Sequence, residues 1–493
     1  MSDLPKGWVQ CLLGDVVKIQ NGYAFPSKDF QKEGIPLIKQ SNLAGDKVSL
    51  ENCVYLDQKY LTLKPDYILK RNDVLIGMSG SIGKLCIYDS DEPALQNQRT
   101  GKIVLLAKEQ ISWRFIWEYL KTIEIQLLEK GKGLGVINVS ASDIESLTLK
   151  LPPLNEQNRI VEKLEKLLGK VETVQARLDK IPAILKRFRQ AVLAAACSGK
   201  LTTDWRENNS DNAKNLMLQI SEYFNRSIDF SRDIEGLSLS DSLEPIPENW
   251  ALVRFGEVIQ ELRNGVPIRP EIQPPGTPIL RISAARSGSV DLSDVRYLPN
   301  SEKYLPNFKL QDCDLLFTRY NGSLDLLGVC GMVRGLGDET LLYPDKLMRV
   351  RFGHNFILPE YAEIFFQSPD ARERMIEKSK SSAGQNGISG TDVKLQFFAI
   401  PPHEEQKEIV RRVEDLFKFA DQIEARYKKA RSFTDKLTQS ILAKAFRGEL
   451  VPQDPTDEPA SVLLERIRQE KSAAPTSTQK PKRKAANQSN LFE

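Results

Sequence analysis

Between residues 155 and 199 the apolar positions step by four and three: Ile160, Leu164, Leu167, Val171, Val174, Leu178, Ile181, Leu185, Phe188 and Val192. A spacing of about 3.5, sustained over roughly four heptads, marks the seam of a left-handed coiled coil, because a helix of 3.6 residues per turn keeps such a stripe on one side only by supercoiling. The same phase returns at Ile409, Val413, Leu416, Ala420, Ile423, Tyr427, Ala430, Thr434, Leu437 and Ile441, and is weaker at Ala430 and Thr434. Each stretch opens with a Pro-Pro pair (152 and 153, 401 and 402) and a Glu-Gln pair (156 and 157, 405 and 406), and closes on Gly199 or Gly448. Proline ahead of a helix and glycine just past it are stop signals. The helices so bounded run roughly 40 residues, or about 60 Å, against about 8–20 residues for an ordinary globular helix. Two rods of matched length and phase most simply pair with each other; two helices of one large core is the plainer alternative. Pro182 removes a backbone donor and predicts a local kink in the first helix; Arg431 stands there in the second, which is expected to be straighter.

The polar and apolar landmarks ahead of each helix are also duplicated. Gly7-Trp8 answers to Asn249-Trp250, Asn21-Gly22 to Asn264-Gly265, and the run at 35–39 (IPLIK) to that at 277–281 (TPILR). Residues 69–75 echo 310–316, and 138–143 echo 387–392. A repeat of about 250 residues is a duplicated domain, since solenoid units run about 20–50. Short β-rich runs (35–39, 73–78, 85–88 and 102–106; 277–283, 314–320, 328–333 and 346–352) alternate with turns, and 113–129 and 359–378 read as helices. The expected class is α+β: two homologous modules, each a small twisted, mainly antiparallel sheet with helices, separated by a long antiparallel two-helix coiled coil with a pseudo-twofold axis. Parallel pairing is the other possibility, with the linker running back along the rod. The expected division is 1–154 first module, 155–199 spacer helix, 200–248 linker with one short helix near 216–224, 249–401 second module, 402–448 spacer helix, and 449–493 flexible tail.

Composition changes little. The 493 residues exceed one core, and a net charge of +3 neither demands nor excludes nucleic acid. The N-terminus lacks a signal-peptide pattern and no apolar run reaches membrane-spanning length. Six cysteines without framework spacing fit a reducing cytoplasm. The basic run at 480–484 reads as a solvated tail.

No catalytic constellation emerges. His354 and His403 have no neighbours at metal-ligand spacing. The stretch at 77–85 (GMSGSIGKL) departs from a phosphate loop in glycine spacing and carries Leu where the hydroxyl belongs, so it reads as a turn between strands. What the loops do offer is base-edge chemistry: Lys39, Gln40, Asn42, Gln98, Arg99, Asn138 and Ser140 in the first module, and Arg281, Ser283, Arg319, Tyr320, Asn321, Lys346, Gln385 and Asn386 in the second. Arginine can take guanine bidentately and Asn or Gln can take adenine, each pair giving roughly 1–3 kcal/mol of discrimination. The competing reading makes them turn residues satisfying their own backbone. Beside the seam, Val161, Leu168, Val410 and Phe417 widen the apolar stripe near each helix start and are expected to bury against the adjacent module or another subunit.

These residues resemble the specificity subunit of type I restriction–modification enzymes. The resemblance covers nearly the whole chain and is strongest at 151–157 (LPPLNEQ) with 185–193 (LKRFRQAVL), and at 400–406 (IPPHEEQ) with 439–448 (QSILAKAFRG). The second module, at 315–323 (LLFTRYNGS) and 384–390 (GQNGISG), also looks like this family. The resemblance implies two target-recognition domains, each reading half of a split double-stranded DNA site. It implies two modification subunits, which bring S-adenosylmethionine and methylate adenine, and two restriction subunits that use ATP and Mg²⁺; this chain would carry no cofactor and no catalysis itself. A coiled-coil scaffold that never touches DNA, an enzyme of unrecognised chemistry and a methylation-only system are the alternatives.

Overall fold

The computed structural model describes residues 4–107, 109–124, 127, 138–228, 246–382 and 385–473. The chain divides into two compact units, Met1–Arg177 with Ala430–Glu493, and Leu178–Lys429.

In the first unit, Val9–Leu12 pairs antiparallel with Thr148–Leu151 at the foot of the head. A six-stranded sheet follows the order Val17–Asn21, Thr100–Leu105, Val74–Gly77, Leu85–Ile87, Lys47–Val48 and Leu43–Ala44. A second sheet orders Val54–Leu56, Ile35–Ile38, Ala94–Gln96 and Ile68–Leu69. Val74–Gly77 is buried throughout, as a strand covered on both faces must be, while Val17 and Ile19 alternate with exposed Lys18. The stretch from Gly77 to Lys84 is a turn: the Gly77 N–H donates to the Lys84 carbonyl and the Gly83 N–H to the Gly77 carbonyl.

The second unit repeats the plan. Ala251–Arg254 pairs with Phe397–Ile400, and a four-stranded sheet orders Glu261–Asn264, Leu347–Arg351, Leu315–Thr318 and Cys330–Met332. Thr277–Leu280 pairs with Val295–Leu298. The α+β class and the duplication hold. The single helix expected over 359–378 is two, Pro359–Gln367 and Pro369–Glu377, because Pro369 cannot continue the first and the Ser368 hydroxyl caps the second.

The first spacer helix is likewise broken, into Leu154–Leu178 and Ile181–Cys197, with Pro182 in the opening turn of the second piece where its missing N–H costs least. His403–Arg447 is one continuous 45-residue helix. Within the first unit Leu154–Leu178 runs antiparallel to the end of this helix. Gln175 donates to Asp435 (3.0 Å), while Asn155 and Arg159 reach Asp457 beyond the helix end. Within the second unit Ile181–Cys197 runs antiparallel to its beginning: Arg189 meets Asp421 and Glu424, and Thr202 past the turn meets Glu405.

Leu164, Val171, Leu185 and Val413 are buried in the seam, and Leu167, Leu178, Leu416, Ile423 and Tyr427 are half-buried. Leu437 is not a seam residue: it is 37% exposed, and Val174 is 46% exposed. A strict 3.5-residue stripe drifts by about 20° per heptad on a straight helix, so Leu437 turns outward while Thr434 and Ile441 of the same stripe stay buried.

The Glu-Gln pair that opens each helix fastens it to its head. Gln406 accepts from the Leu358 N–H (2.8 Å) and donates to the Pro401 carbonyl; Gln157 accepts from the Ser112 N–H (2.9 Å) and donates to the Pro152 carbonyl. Glu405, fully buried, accepts from Trp250 Nε1 (2.9 Å), Thr202 Oγ1 (2.7 Å) and Arg206 Nη1 (2.5 Å). Glu156, equally buried, accepts from Gln453 at 3.4 Å, and the indole N–H of Trp8 lies close enough to favour its ionised form without closing a hydrogen bond. Thr202 and Arg206 follow Gly199 and Gln453 follows Gly448, both glycines being in the left-handed conformation at φ +76°.

These clasps correct the expected linker and tail. Ala213–Phe224, a turn longer than expected, buries Ala213, Leu216, Met217 and Ile220 in the second unit's core. Ala460–Ala473, in what reads as a flexible tail, buries Ala460, Leu463, Leu464 and Ile467 in the first unit's core. The two are one repeated element: the Ala213 N–H donates to the Asn249 carbonyl and the Ala460 N–H to the Gly7 carbonyl, each at 2.9 Å. Their narrow apolar faces vanish in polar surroundings when the sequence is read by composition. The basic run at 480–484 lies outside the described residues.

Candidate nucleic-acid interface

One edge of each head gathers most of the base-reading candidates, and three of the backbone hydrogen bonds that build it recur in both heads. In the first head the Asn97 N–H donates to the Ile38 carbonyl (3.0 Å), the Gln98 N–H to Tyr23 (3.0 Å), the Met78 N–H to Arg99 (3.2 Å) and the Val139 N–H to Met78 (2.9 Å). The loops carrying Lys39 and Gln40, Gln98 and Arg99, and Asn138 therefore converge. Gln98 and Arg99 are exposed at the tip of a turn with a fixed backbone. Lys39 lies with its ammonium 4.2 Å from the Phe30 ring centre, and Gln40 keeps a buried Oε1 without a partner beside Gly80.

In the second head the Asp345 N–H donates to Val266 (2.9 Å), the Arg319 N–H to Lys346 (2.8 Å) and the Ile388 N–H to Arg319 (3.0 Å). This matches Gln98 to Asp345, Arg99 to Lys346 and Met78 to Arg319. Glycine is required at Gly22 and at Gly265, where a Cβ would fall 2.1 Å from the Asn97 carbonyl oxygen and 2.2 Å from that of Pro344. Tyr320–Asn321 pairs with the strand Gln385–Gly387, setting Asn321 opposite Asn386. Arg281, Arg296, Arg269 and Lys346 line a recess of 430 Å³ floored by Leu280 and Ile282.

Other candidates belong to the scaffold. Asn42 is buried and spent on its own turn, accepting from the Lys39 N–H and donating to the Ser49 carbonyl (3.1 Å). Ser140 caps the helix Ala141–Glu145, accepting from the Asp143 N–H, and Ser283 bonds Asp294. Asn321 accepts from the Ser323 N–H (3.0 Å). For these the turn-residue reading holds, because a short polar side chain that suits a base edge suits a nearby backbone group equally. The sequence reading missed Arg269 and Arg296. Arg296 sits opposite Ile279, whereas Val54 sits opposite Leu37, the residue matching Ile279; aligning the two copies strand by strand exposes the change.

On the helices, Val161 is buried in the first unit's core and Leu168 half-buried at its margin. Val410 and Phe417 are half-buried and line an open groove of 1360 Å³ within the second unit, with Leu185, Arg372 and Ile376. On the same helix Glu408 is held down to about 2 by Arg411, with Arg412 adding to the effect against burial; Arg412 also pairs with Asp204 (2.6 Å). Burial pushes Glu156 up, whereas Arg159 holds Asp457 below the usual carboxylate range. Both histidines bond backbone carbonyls, His354 that of Val258 and His403 that of Phe356. Among the described residues no helix is long and apolar enough to cross a membrane.

A family model described as the type I restriction modification DNA specificity domain matches twice, over residues 5–183 and 247–430. The chain is 37% identical over 487 residues to the type I restriction enzyme EcoKI specificity subunit of Escherichia coli K12, covering 96% of this chain and 97% of that one. It is 32% identical to the EcoBI specificity subunit of Escherichia coli, covering 95% and 93%. Among solved structures, a chain from work on complex assembly and conformational transition of the type I R-M system superposes with a TM-score of 0.59 at 16% identity, covering 91% of this chain and 100% of that one. The HsdS subunit from Thermoanaerobacter tengcongensis superposes with a TM-score of 0.50 at 19% identity, covering 91% and 98%.

Proposed function

The chain belongs to the family of type I restriction–modification DNA specificity subunits, and from that premise we propose that each head reads one half of a two-part DNA site while the paired helices set the unread gap. Dimeric readers solve the same problem by holding half-site contacts about 34–36 Å apart along the duplex. The observation that carries this reading is the edge held in both heads by three matching backbone hydrogen bonds and furnished with different side chains. A shared frame with exchanged tips suits two different half-sites. Lys39, Gln40, Gln98, Arg99 and Asn138 are the base- and phosphate-contacting set of the first head, and Arg281, Arg319, Tyr320, Lys346, Gln385 and Asn386 that of the second.

The chain itself is non-catalytic in this reading. Two modification subunits supply S-adenosylmethionine and transfer the methyl group to adenine; two restriction subunits supply the ATP- and Mg²⁺-dependent step. All of them act in the cytoplasm. Leu168, Val410 and Phe417, left half-covered beside the helices, are docking positions for the modification subunits; Val161 is already used by its own head. The test is to express the chain with its modification partner and map modified adenines across the genome. A two-part motif with an unspecified gap is expected. A single uninterrupted motif, or none, contradicts the proposal.

A further inference from the structure

At three places on the reading edge the second head carries a guanidinium where the first does not. Arg281 answers to Lys39, Arg319 to Met78 and Arg296 to Val54. Two of the three are braced. The backbone N–H of Arg281 donates to the Asp294 carbonyl (2.9 Å), and its Nη1 donates to the Asp294 carboxylate (3.1 Å). Arg319 has its Cζ 4.7 Å from the Tyr320 ring centre and its buried Nε without a hydrogen-bond partner. Bracing of this kind fixes the plane of the fork, as a bidentate contact to guanine O6 and N7 requires. Two carboxylates, Asp294 and Asp345, stand among these cations, and Asp345 lines the recess itself. The recess stays net positive, with Arg269, Arg281, Arg296 and Lys346 against Asp345, so charge alone admits a phosphate as well as a base; the pair of donor fork and carboxylate acceptor, however, complements the two edges of a G·C pair: guanine O6 and N7, and the cytosine amino group.

We propose that the second half of the DNA site contains a guanine read in the major groove by Arg281, with Asp294 as the positioning residue that orients it. The inference rests on the half-site reading of the second head and names what that head takes. Its phosphate alternative is separable, because a base contact carries preference at one position whereas a phosphate contact weakens all sequences alike and lowers the salt dependence.

The experiment compares wild type with Arg281→Lys, Arg281→Ala and Asp294→Asn in the full chain with its modification partner. The readouts are the methylated motif and binding to duplexes varied at each second-half position, at two salt concentrations. Arg281→Ala is expected to reduce preference for guanine at one position about ten- to a hundredfold, and Arg281→Lys, which keeps the charge and loses the planar fork, to give a smaller loss at that same position. Asp294→Asn should relax that same position with the salt dependence unchanged, and the first-half motif should stay intact in every variant. A second half without guanine in the wild type overturns the inference. So does uniform weakening across sequences with Arg281→Lys behaving as wild type. Absence of any two-part motif in the wild type instead removes the half-site reading, and this inference with it, and is recognised because the first half disappears as well.

Discussion

The two buried glutamates that start the spacer helices show how one scaffold is maintained by two balances of charge. Glu405 is ion-paired with Arg206 and takes hydrogen bonds from Thr202 and Trp250. Glu156 occupies the matching place with a long bond from Gln453 and burial that pushes its carboxyl up. The segment after Gly448 places Pro455 where the segment after Gly199 has Arg206. Geometry is thus preserved while the counter-ion is not. Burying a charge is tolerated when it is paired and bonded, and a buried carboxyl whose nearby Arg159 is bonded to Asp457 instead moves toward its neutral form.

The sharpest way to test that contrast is Arg206→Ala. It strands a buried carboxylate and is expected to cost the second unit about 3–5 kcal/mol in denaturant unfolding, and adding Glu405→Gln should recover most of it. The seam offers the next largest effect: Leu164→Ala should cost about 2–5 kcal/mol, whereas Leu437→Ala, at a half-exposed position, should stay within about 0.5 kcal/mol. Phe417→Glu, at a side chain packed against the second unit's core, should cost about 0.5–3 kcal/mol and weaken co-purification of the modification subunit more than it weakens folding; unchanged co-purification removes the groove as a docking site. Glu156→Gln should stay within about 1 kcal/mol at neutral pH. Its sign is set by linkage. Because the folded carboxyl is raised, the native state binds the extra proton, so wild type gains on the Gln variant as pH falls from neutral toward the unfolded value. Asp457 and Glu408, whose folded values are lowered, run the other way: their stabilisation is present above about 4 to 4.5 and is lost as pH falls below it. The difference between wild type and Glu156→Gln isolates the one group from the others.

Much of this is legible in the sequence because it follows from periodicity and punctuation. Helices of more than ordinary length, their Pro and Gly bounds, the break near Pro182 and the duplicated landmarks each rest on a strong local rule. What the sequence hides is less local. Ala213–Phe224 and Ala460–Ala473 look like linker and tail until their narrow apolar faces meet a core that only the fold supplies. Asn42 and Ser140 pass for base contacts because their chemistry serves a turn and a cap equally well. Arg296 escapes notice because an arginine in a strand reads as an exposed face until its register partner shows that Val54 holds the same place in the other copy.

The central claim, that the heads read independently, is tested by exchanging residues 1–154 for the first head of another specificity subunit and mapping methylated adenines. One part of the motif should change, with the gap and the other part retained. Change in both parts together would contradict two separate readers.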